Sequence, residues 1–87
     1  MKPRHAAALV LAGWYLMMPP ARNGKAVPDA LPLIEWAHID SFDSAEQCRN
    51  AGLDLAIRAK ERGDQNRIAS ALAFECIATD DPRLKGH

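Results

Sequence analysis

The sequence lacks the short motifs that mark many enzymes and cofactor-binding proteins. It has no phosphate-binding glycine loop, no dinucleotide fingerprint and no nucleophile elbow. Its two cysteines are too far apart for a CxxC redox pair, and no spacing of Cys and His fits zinc. Of the three histidines, only His38 falls inside the predicted domain, where a packed or solvent-facing role suits it better than catalysis. We therefore expect no enzymatic activity, no catalytic residues, no metal site and no cofactor.

The chain also has no excess of positive or negative charge, since eleven Lys and Arg balance eleven Asp and Glu. The charges are unevenly distributed along the chain. Residues 1–26 hold four basic residues and no acidic one, which leaves seven basic and eleven acidic residues in residues 27–87. This longer segment is mildly acidic, whereas nucleic-acid binding requires a basic face. We therefore expect no nucleic acid among the partners.

The N-terminal segment has the composition of an export signal. Two basic residues precede residues 6–18, which form an uncharged and mostly apolar run that ends at two prolines. The run is shorter than the roughly 20 residues of a membrane span and has the length of a signal-peptide core. We therefore predict an apolar signal helix and the start of a linker in residues 1–26, and a periplasmic or secreted protein.

Small residues mark the end of this leader. Gly24 and Ala26 occupy the −3 and −1 positions for a cut before Val27, which is the cleavage site that we predict. The alternative is a leader that is never cut and anchors the chain in the inner membrane, with aromatic residues near the interface. In both cases the chain contacts the membrane only through this N-terminal segment.

The remaining chain divides into a linker, one domain and a tail. Residues 27–32 hold two prolines and little to bury, which predicts an extended or disordered linker that begins near residue 21. Residues 33–80 contain both cysteines and the helix and strand patterns, so we place the domain there. We expect residues 81–87 to form a loose C-terminal tail.

The middle of the domain is predicted to be helical. The segment from Asp43 to Gly63 has apolar residues at spacings of three and four, its first residue fits an N-cap, and its last fits the left-handed position that ends helices. Asp64 can start a second helix, and one unbroken helix over residues 44–73 is the alternative. Inside a helix Gly52 costs about 1 kcal/mol relative to alanine, which indicates either a tolerated defect or the close approach of another backbone.

Strand patterns flank the helices. Residues 33–40 and 74–79 have the alternation and the turn residues of short strands. Two helices folded as a hairpin return the chain to its starting end, which favours an antiparallel pair. The predicted fold class is therefore α+β: a small disulfide-linked β-α-α-β domain whose two-stranded antiparallel sheet packs on a helical hairpin.

Cys48 and Cys76 are predicted to form a disulfide. Two cysteines behind an export signal most simply pair with each other, and the antiparallel arrangement brings these two to the same end of the sheet. The bond closes a loop of roughly 30 residues, for which the chain-entropy model gives about 3–4 kcal/mol of stabilisation. The alternatives are two free buried thiols or a bridge between two chains.

A two-stranded sheet that is covered on one face leaves the other face open. We expect Trp36 and Ile77 on this open face, where they would form a contact surface for a protein partner or a second copy of the chain. The alternative is that the linker or the C-terminal tail folds over Trp36.

Three stretches of the sequence resemble a group of small exported bacterial proteins of unknown function. They are GWYLMMPP in residues 13–20, WAHIDSFDSAEQC in residues 36–48 and CIATDDPRLK in residues 76–85. The resemblance implies export and a disulfide, and it carries over no catalytic or binding residues. We therefore predict a small exported non-enzymatic binding or structural module of the cell envelope. The alternative is a membrane-tethered accessory subunit of an envelope complex that retains its leader.

Overall fold

The computed structural model describes residues 13–85, which contain strands, two α-helices and three short 3-10 helices. The strands are β1 (Trp14–Met18), β2 (Ala21–Arg22), β3 (Lys25–Ala26), β4 (Ala37–Phe42) and β5 (Glu75–Ala78). The α-helices are α1 (Ala45–Arg62) and α2 (Gln65–Leu72), and the 3-10 helices are Pro28–Ala30, Leu33–Glu35 and Pro82–Lys85. This part of the chain is therefore of the α+β class, as predicted.

Strand β1 forms the centre of a three-stranded sheet with the order β4-β1-β5. It pairs antiparallel with both neighbours, so Trp14 lies opposite Phe42 on one side and Ala78 on the other. Its side chains are buried on both faces of the sheet, since Leu16 is 2% exposed and Met17 is 4% exposed. A strand covered on both faces has no need for polar alternation, which explains its uninterrupted apolar sequence.

This sheet corrects the predicted topology. The strands expected in residues 33–40 and 74–79 exist as β4 and β5, but β1 lies between them, so they do not pair with each other. Both are antiparallel to β1 and therefore parallel to one another. The third strand comes from the end of the apolar run that we assigned to the signal helix. The rest of that predicted helix, in residues 1–12, lies outside the described residues.

The helical hairpin of α1 and α2 covers one face of the sheet. Ser44 caps α1, one residue after the predicted cap, by accepting a hydrogen bond from the backbone N–H of Gln47 at 3.1 Å. Gly63 ends α1 with a φ angle of 81°, and Asp64 caps α2. The chain therefore forms two helices with a break at the predicted position.

The Cys48–Cys76 disulfide joins α1 to β5, which confirms the predicted pairing. The two Cα atoms lie 6.0 Å apart, and Cys48 is fully buried. The Sγ atom of Cys48 lies 3.7 Å from the carbonyl oxygen of Tyr15, so the disulfide also packs against the central strand. This covalent bond therefore holds the first helix against the sheet.

Small residues allow α1 to pack closely on its neighbours. Ala56 and Ala59 of α1 are buried against Ala71 of α2. A methyl group added at Gly52 would overlap the aromatic ring of Phe74, in the segment after α2. Gly52 therefore has a close neighbour, as one of the two alternatives predicted, but that neighbour is a side chain rather than a backbone segment.

The other face of the sheet is covered by two of the 3-10 helices. The first of them, Leu33–Glu35, replaces the first half of the strand predicted in residues 33–40, and the second, Pro82–Lys85, replaces part of the predicted loose tail. The core on this side consists of Met17, Leu33, Trp36 and Ile77, with Tyr15 and Leu84 packed against it. The packed unit therefore extends beyond residues 33–80 at both ends.

The segment that we expected to be an extended linker begins with a hairpin. Strands β2 and β3 pair antiparallel around Asn23 and Gly24, whose positive φ angles of 56° and 77° are typical of a type I′ turn. The backbone N–H of Gly24 donates a hydrogen bond to Oδ1 of Asn66 at 2.7 Å. The hydroxyl of Ser70 donates to the carbonyl oxygen of Pro19. Helix α2 therefore fastens this hairpin to the domain.

Candidate functional site

An open groove of about 440 Å³ lies on the sheet face opposite the helices. Buried and half-buried side chains form its floor, namely Tyr15, Met17, Trp36 and Leu84. Exposed side chains form its rim, namely Ile34, His38, Asp80 and Lys85. We call this concavity the aromatic groove. Its volume lies in the range of small-ligand and peptide-anchor pockets, although it is more open than an enclosed cavity.

Two of its rings are brought together by the register of the sheet. The rings of Tyr15 on β1 and His38 on β4 make an edge-to-face contact with centroids 4.6 Å apart and planes inclined by 67°. A bulge in β4 makes this possible, because Asp40 pairs with Leu16 whereas His38 pairs with Met17. The extra residue in β4 moves His38 onto the face that carries Tyr15 and Met17.

One nitrogen of the His38 imidazole lies within hydrogen-bonding distance of two groups on its own strand. Its Nε2 atom lies 3.1 Å from the carbonyl oxygen of Asp40 and 3.2 Å from the hydroxyl of Ser41. Because a carbonyl oxygen only accepts, the first contact is a hydrogen bond only when Nε2 carries the proton. In that tautomer Nε2 cannot take a proton from Ser41. The sequence did not predict this contact, and in this tautomer it does not pair a serine nucleophile with a base.

The rim of the groove carries charges of both signs. Asp81 accepts hydrogen bonds from the guanidinium of Arg83 at 2.9 and 3.1 Å, and from the backbone N–H of Arg83 at 2.9 Å. The side-chain hydrogen bonds from Arg83, followed by the backbone one, lower the pKa of Asp81. Asp81 thus caps the turn at Pro82. Asp80 and Lys85 are exposed at the two sides of the rim.

The predicted partner surface at Trp36 and Ile77 is not an exposed one. Trp36 is 9% exposed and Ile77 is 3% exposed, because both belong to the core under the two 3-10 helices. The indole N–H of Trp36 donates to the carbonyl oxygen of Leu31 at 3.3 Å, in the predicted linker. Leu84 of the predicted tail packs against the same core. The structure thus has the arrangement of our alternative, in which linker and tail fold over Trp36.

A smaller concavity of about 220 Å³ lies between the two α-helices and the edge of the sheet. Its walls include the apolar side chains of Met18 and Leu55 and three arginines, Arg58, Arg62 and Arg67. Arg58 is already paired with Asp54 at 2.7 Å. This volume is below that of most ligand sites, whereas the aromatic groove combines a sufficient volume with aromatic rings in its lining, so we take the groove as the candidate site.

The outer edge of β4 is exposed, but its own side chains obstruct it. The bulge at Ile39 interrupts the ladder between β1 and β4. The carboxylate of Asp40 accepts a hydrogen bond from the backbone N–H of Ser41 at 2.8 Å. The ring of His38 contacts the carbonyl oxygen of Asp40. Bulges, charged residues and occupied backbone groups all hinder the addition of a strand. Binding through this edge is therefore disfavoured relative to binding in the groove.

Comparisons with protein-family models, curated proteins and solved structures find no match to this chain. Within residues 13–85, neither α-helix has the length and the apolar character needed to cross a membrane. The same residues contain no group of His, Cys, Asp and Glu side chains that could hold a metal ion. The geometry of the groove is therefore the main guide to function.

Half of the groove comes from segments that sequence analysis placed outside the domain. Tyr15 and Met17 belong to the predicted signal helix, and Leu84 and Lys85 belong to the predicted tail. One feature of the sequence could have indicated that the segment with Tyr15 and Met17 is folded. The Asn23-Gly24 dipeptide is typical of a two-residue hairpin, which indicates folded chain on the N-terminal side of Val27.

Proposed function

We propose that this chain is a small exported, non-enzymatic module of the cell envelope that binds a partner protein through the aromatic groove. The observation that carries the proposal is the groove itself, a ring-lined concavity built on a sheet that is packed on both faces. The Cys48–Cys76 bond supports the compartment, because disulfides persist in oxidising environments such as the periplasm and are rare in the cytosol.

The lining of the groove indicates the chemistry of the partner. The half-buried ring of Tyr15 and the exposed ring of His38 offer a surface for an apolar or aromatic side chain. Asp80 offers an exposed carboxylate beside them, whereas Asp81 is already neutralised by Arg83. We therefore expect a peptide segment with an apolar residue over the rings and a Lys or Arg near Asp80.

Two observations support binding rather than catalysis in this groove. The contact between His38 and the carbonyl oxygen of Asp40 is a hydrogen bond only when Nε2 carries the proton, and in that tautomer Nε2 cannot act as a base toward Ser41. The pKa of Asp81 is lowered by Arg83, which moves this carboxyl group further from the neutral range in which general acid–base catalysts operate.

Site-specific photo-crosslinking in living cells tests this proposal. A photoreactive amino acid replaces Ile34, which is 45% exposed in the groove, or Ile57, which is 59% exposed on α1. We expect a discrete adduct from position 34 of the full chain, weakened by Asp80→Ala, and no such adduct from position 57. Equal labelling from both positions, or no adduct from position 34, would contradict binding in the groove.

A further inference from the structure

The hairpin of β2 and β3 turns at an Asn-Gly pair, which is a chemically reactive dipeptide. Asn23 and Gly24 are the two central residues of the turn, with φ angles of 56° and 77°, and Asn23 is exposed. The backbone nitrogen of the glycine can attack the side-chain amide of the asparagine before it, because glycine has no Cβ atom to obstruct the approach. Asparagine is for this reason one of the thermolabile residues of proteins.

The nitrogen that would have to attack is tied to helix α2. The backbone N–H of Gly24 donates to Oδ1 of Asn66 at 2.7 Å, across 42 positions of the chain. This hydrogen bond keeps the proton on the nitrogen, whereas the attack requires the nitrogen to lose it. Because the peptide group between Asn23 and Gly24 is planar, the same bond also fixes the orientation of the whole group. Asn66 therefore opposes the reaction at the reacting atom itself.

A second contact between α2 and this part of the chain does not involve the reactive pair. The hydroxyl of Ser70 donates to the carbonyl oxygen of Pro19, just before β2. This contact holds the hairpin against α2, but it leaves the backbone N–H of Gly24 untouched. The chain thus offers one contact that acts on the reacting nitrogen and another that only positions the hairpin, so the two effects can be separated.

We propose that Asn23 is a site of spontaneous deamidation and that Asn66 sets the rate of this modification in the folded protein. In the reaction, the Gly24 nitrogen loses its proton and forms a bond to the Cγ atom of Asn23. The side-chain amide leaves as ammonia, which gives a five-membered succinimide ring. One water molecule then opens the ring at either of its carbonyl groups, and the product is an aspartate or a β-linked isoaspartate. The reaction consumes only water and needs no oxidant, reductant or second protein.

The β-linked product does not fit the turn. Its backbone runs through the side-chain methylene of residue 23, so the connection between β2 and β3 becomes one atom longer. A two-residue turn of this type has a fixed length, and that length sets the register of the two strands. We therefore expect the isoaspartate form to lose the pairing of Ala21 with Ala26 and of Arg22 with Lys25.

Incubation of the oxidised full chain at mildly alkaline pH, followed by mass spectrometry of peptides that span Asn23, measures the rate of deamidation. We expect the folded protein to react more slowly than the same chain reduced and unfolded in urea. Asn66→Ala removes the acceptor and should raise the rate in the folded protein roughly fivefold to tenfold, which corresponds to the loss of one hydrogen bond. Asn66→Asp retains an acceptor oxygen and should keep the rate low.

Two control variants separate the hydrogen bond from the general stability of the hairpin. Gln65→Ala changes the neighbouring residue of α2 but keeps the Cβ atom that lies next to Gly24. Ser70→Ala removes the contact that does not involve Gly24. Both should leave the rate unchanged. The proposal would be overturned by an unchanged rate in Asn66→Ala, by equal acceleration in Ser70→Ala, or by a folded protein that reacts as fast as the unfolded chain.

Discussion

The substitution Gly52→Ala gives the most direct test of how the helical hairpin packs. Helix propensity alone predicts a gain of about 1 kcal/mol, because glycine loses more backbone freedom than alanine in a helix. In the structure, however, the added methyl group would overlap the ring of Phe74. Overpacking of this kind costs roughly 1–3 kcal/mol. The two contributions predict a net loss of roughly 0–2 kcal/mol in the free energy of unfolding.

Two further variants separate propensity from packing. Asn50→Ala lies at an exposed position of the same helix, so we expect it to show only the propensity gain of about 0.5 kcal/mol. Phe74→Leu removes the ring edge, so Gly52→Ala should become stabilising by up to about 1 kcal/mol in that background. The coupling between the two sites should then be roughly 1–3 kcal/mol.

Urea unfolding of the oxidised protein, followed by tryptophan fluorescence and circular dichroism, measures these free energies. The reasoning would be refuted if Gly52→Ala stabilised the protein by about 1 kcal/mol in both backgrounds. That result would mean that the Phe74 ring moves aside without cost, and that the glycine is merely a tolerated defect.

Two other predictions follow from the covalent and electrostatic contacts. Replacing Cys48 and Cys76 together by alanine should lower the free energy of unfolding by about 3–4 kcal/mol, because the bond spans 28 residues. A loss below about 1 kcal/mol in urea titrations would contradict this prediction. The lowered pKa of Asp81 contributes stability that is present above its unfolded-state pKa near 3.9 and is lost as the pH falls through its folded-state value. Asp81→Asn should therefore make the stability of the protein depend less on pH in the acidic range. Thermal unfolding between about pH 2 and 6 measures this dependence. If the variant and the original protein lose stability equally as the pH falls, the exposed pair with Arg83 contributes nothing.

Local signals in the sequence were sufficient for the helices and the disulfide. The break at Gly63 and the cap at Asp64 have positional preferences that depend on the nearest few residues, so they can be recognised without the fold. The disulfide was predicted from two cysteines that follow an export-like N-terminal segment. The helix start was misplaced by one residue, because Asp43 and Ser44 are both good caps and only the turn geometry selects between them.

The sheet and the groove could not be predicted in the same way. A strand buried on both faces and a signal-peptide core are both short apolar runs, so the sequence from Trp14 to Met18 is typical of either. The environment of Trp36 includes the carbonyl oxygen of Leu31 and the side chain of Leu84, which lie in segments with weak local patterns. The position of His38 in the groove depends on a bulge, and nothing in the sequence of β4 specifies where the ladder shifts.

The position of β1 at the start of the domain determines the order in which the domain can fold. The strand that organises the sheet is the first of the described strands to leave the ribosome, yet its partner β5 is among the last segments to follow. The sheet therefore cannot close until almost the whole chain has emerged, and oxidation of Cys76 is delayed for the same reason. A chain with this arrangement therefore holds its central strand without its second partner until synthesis is nearly complete.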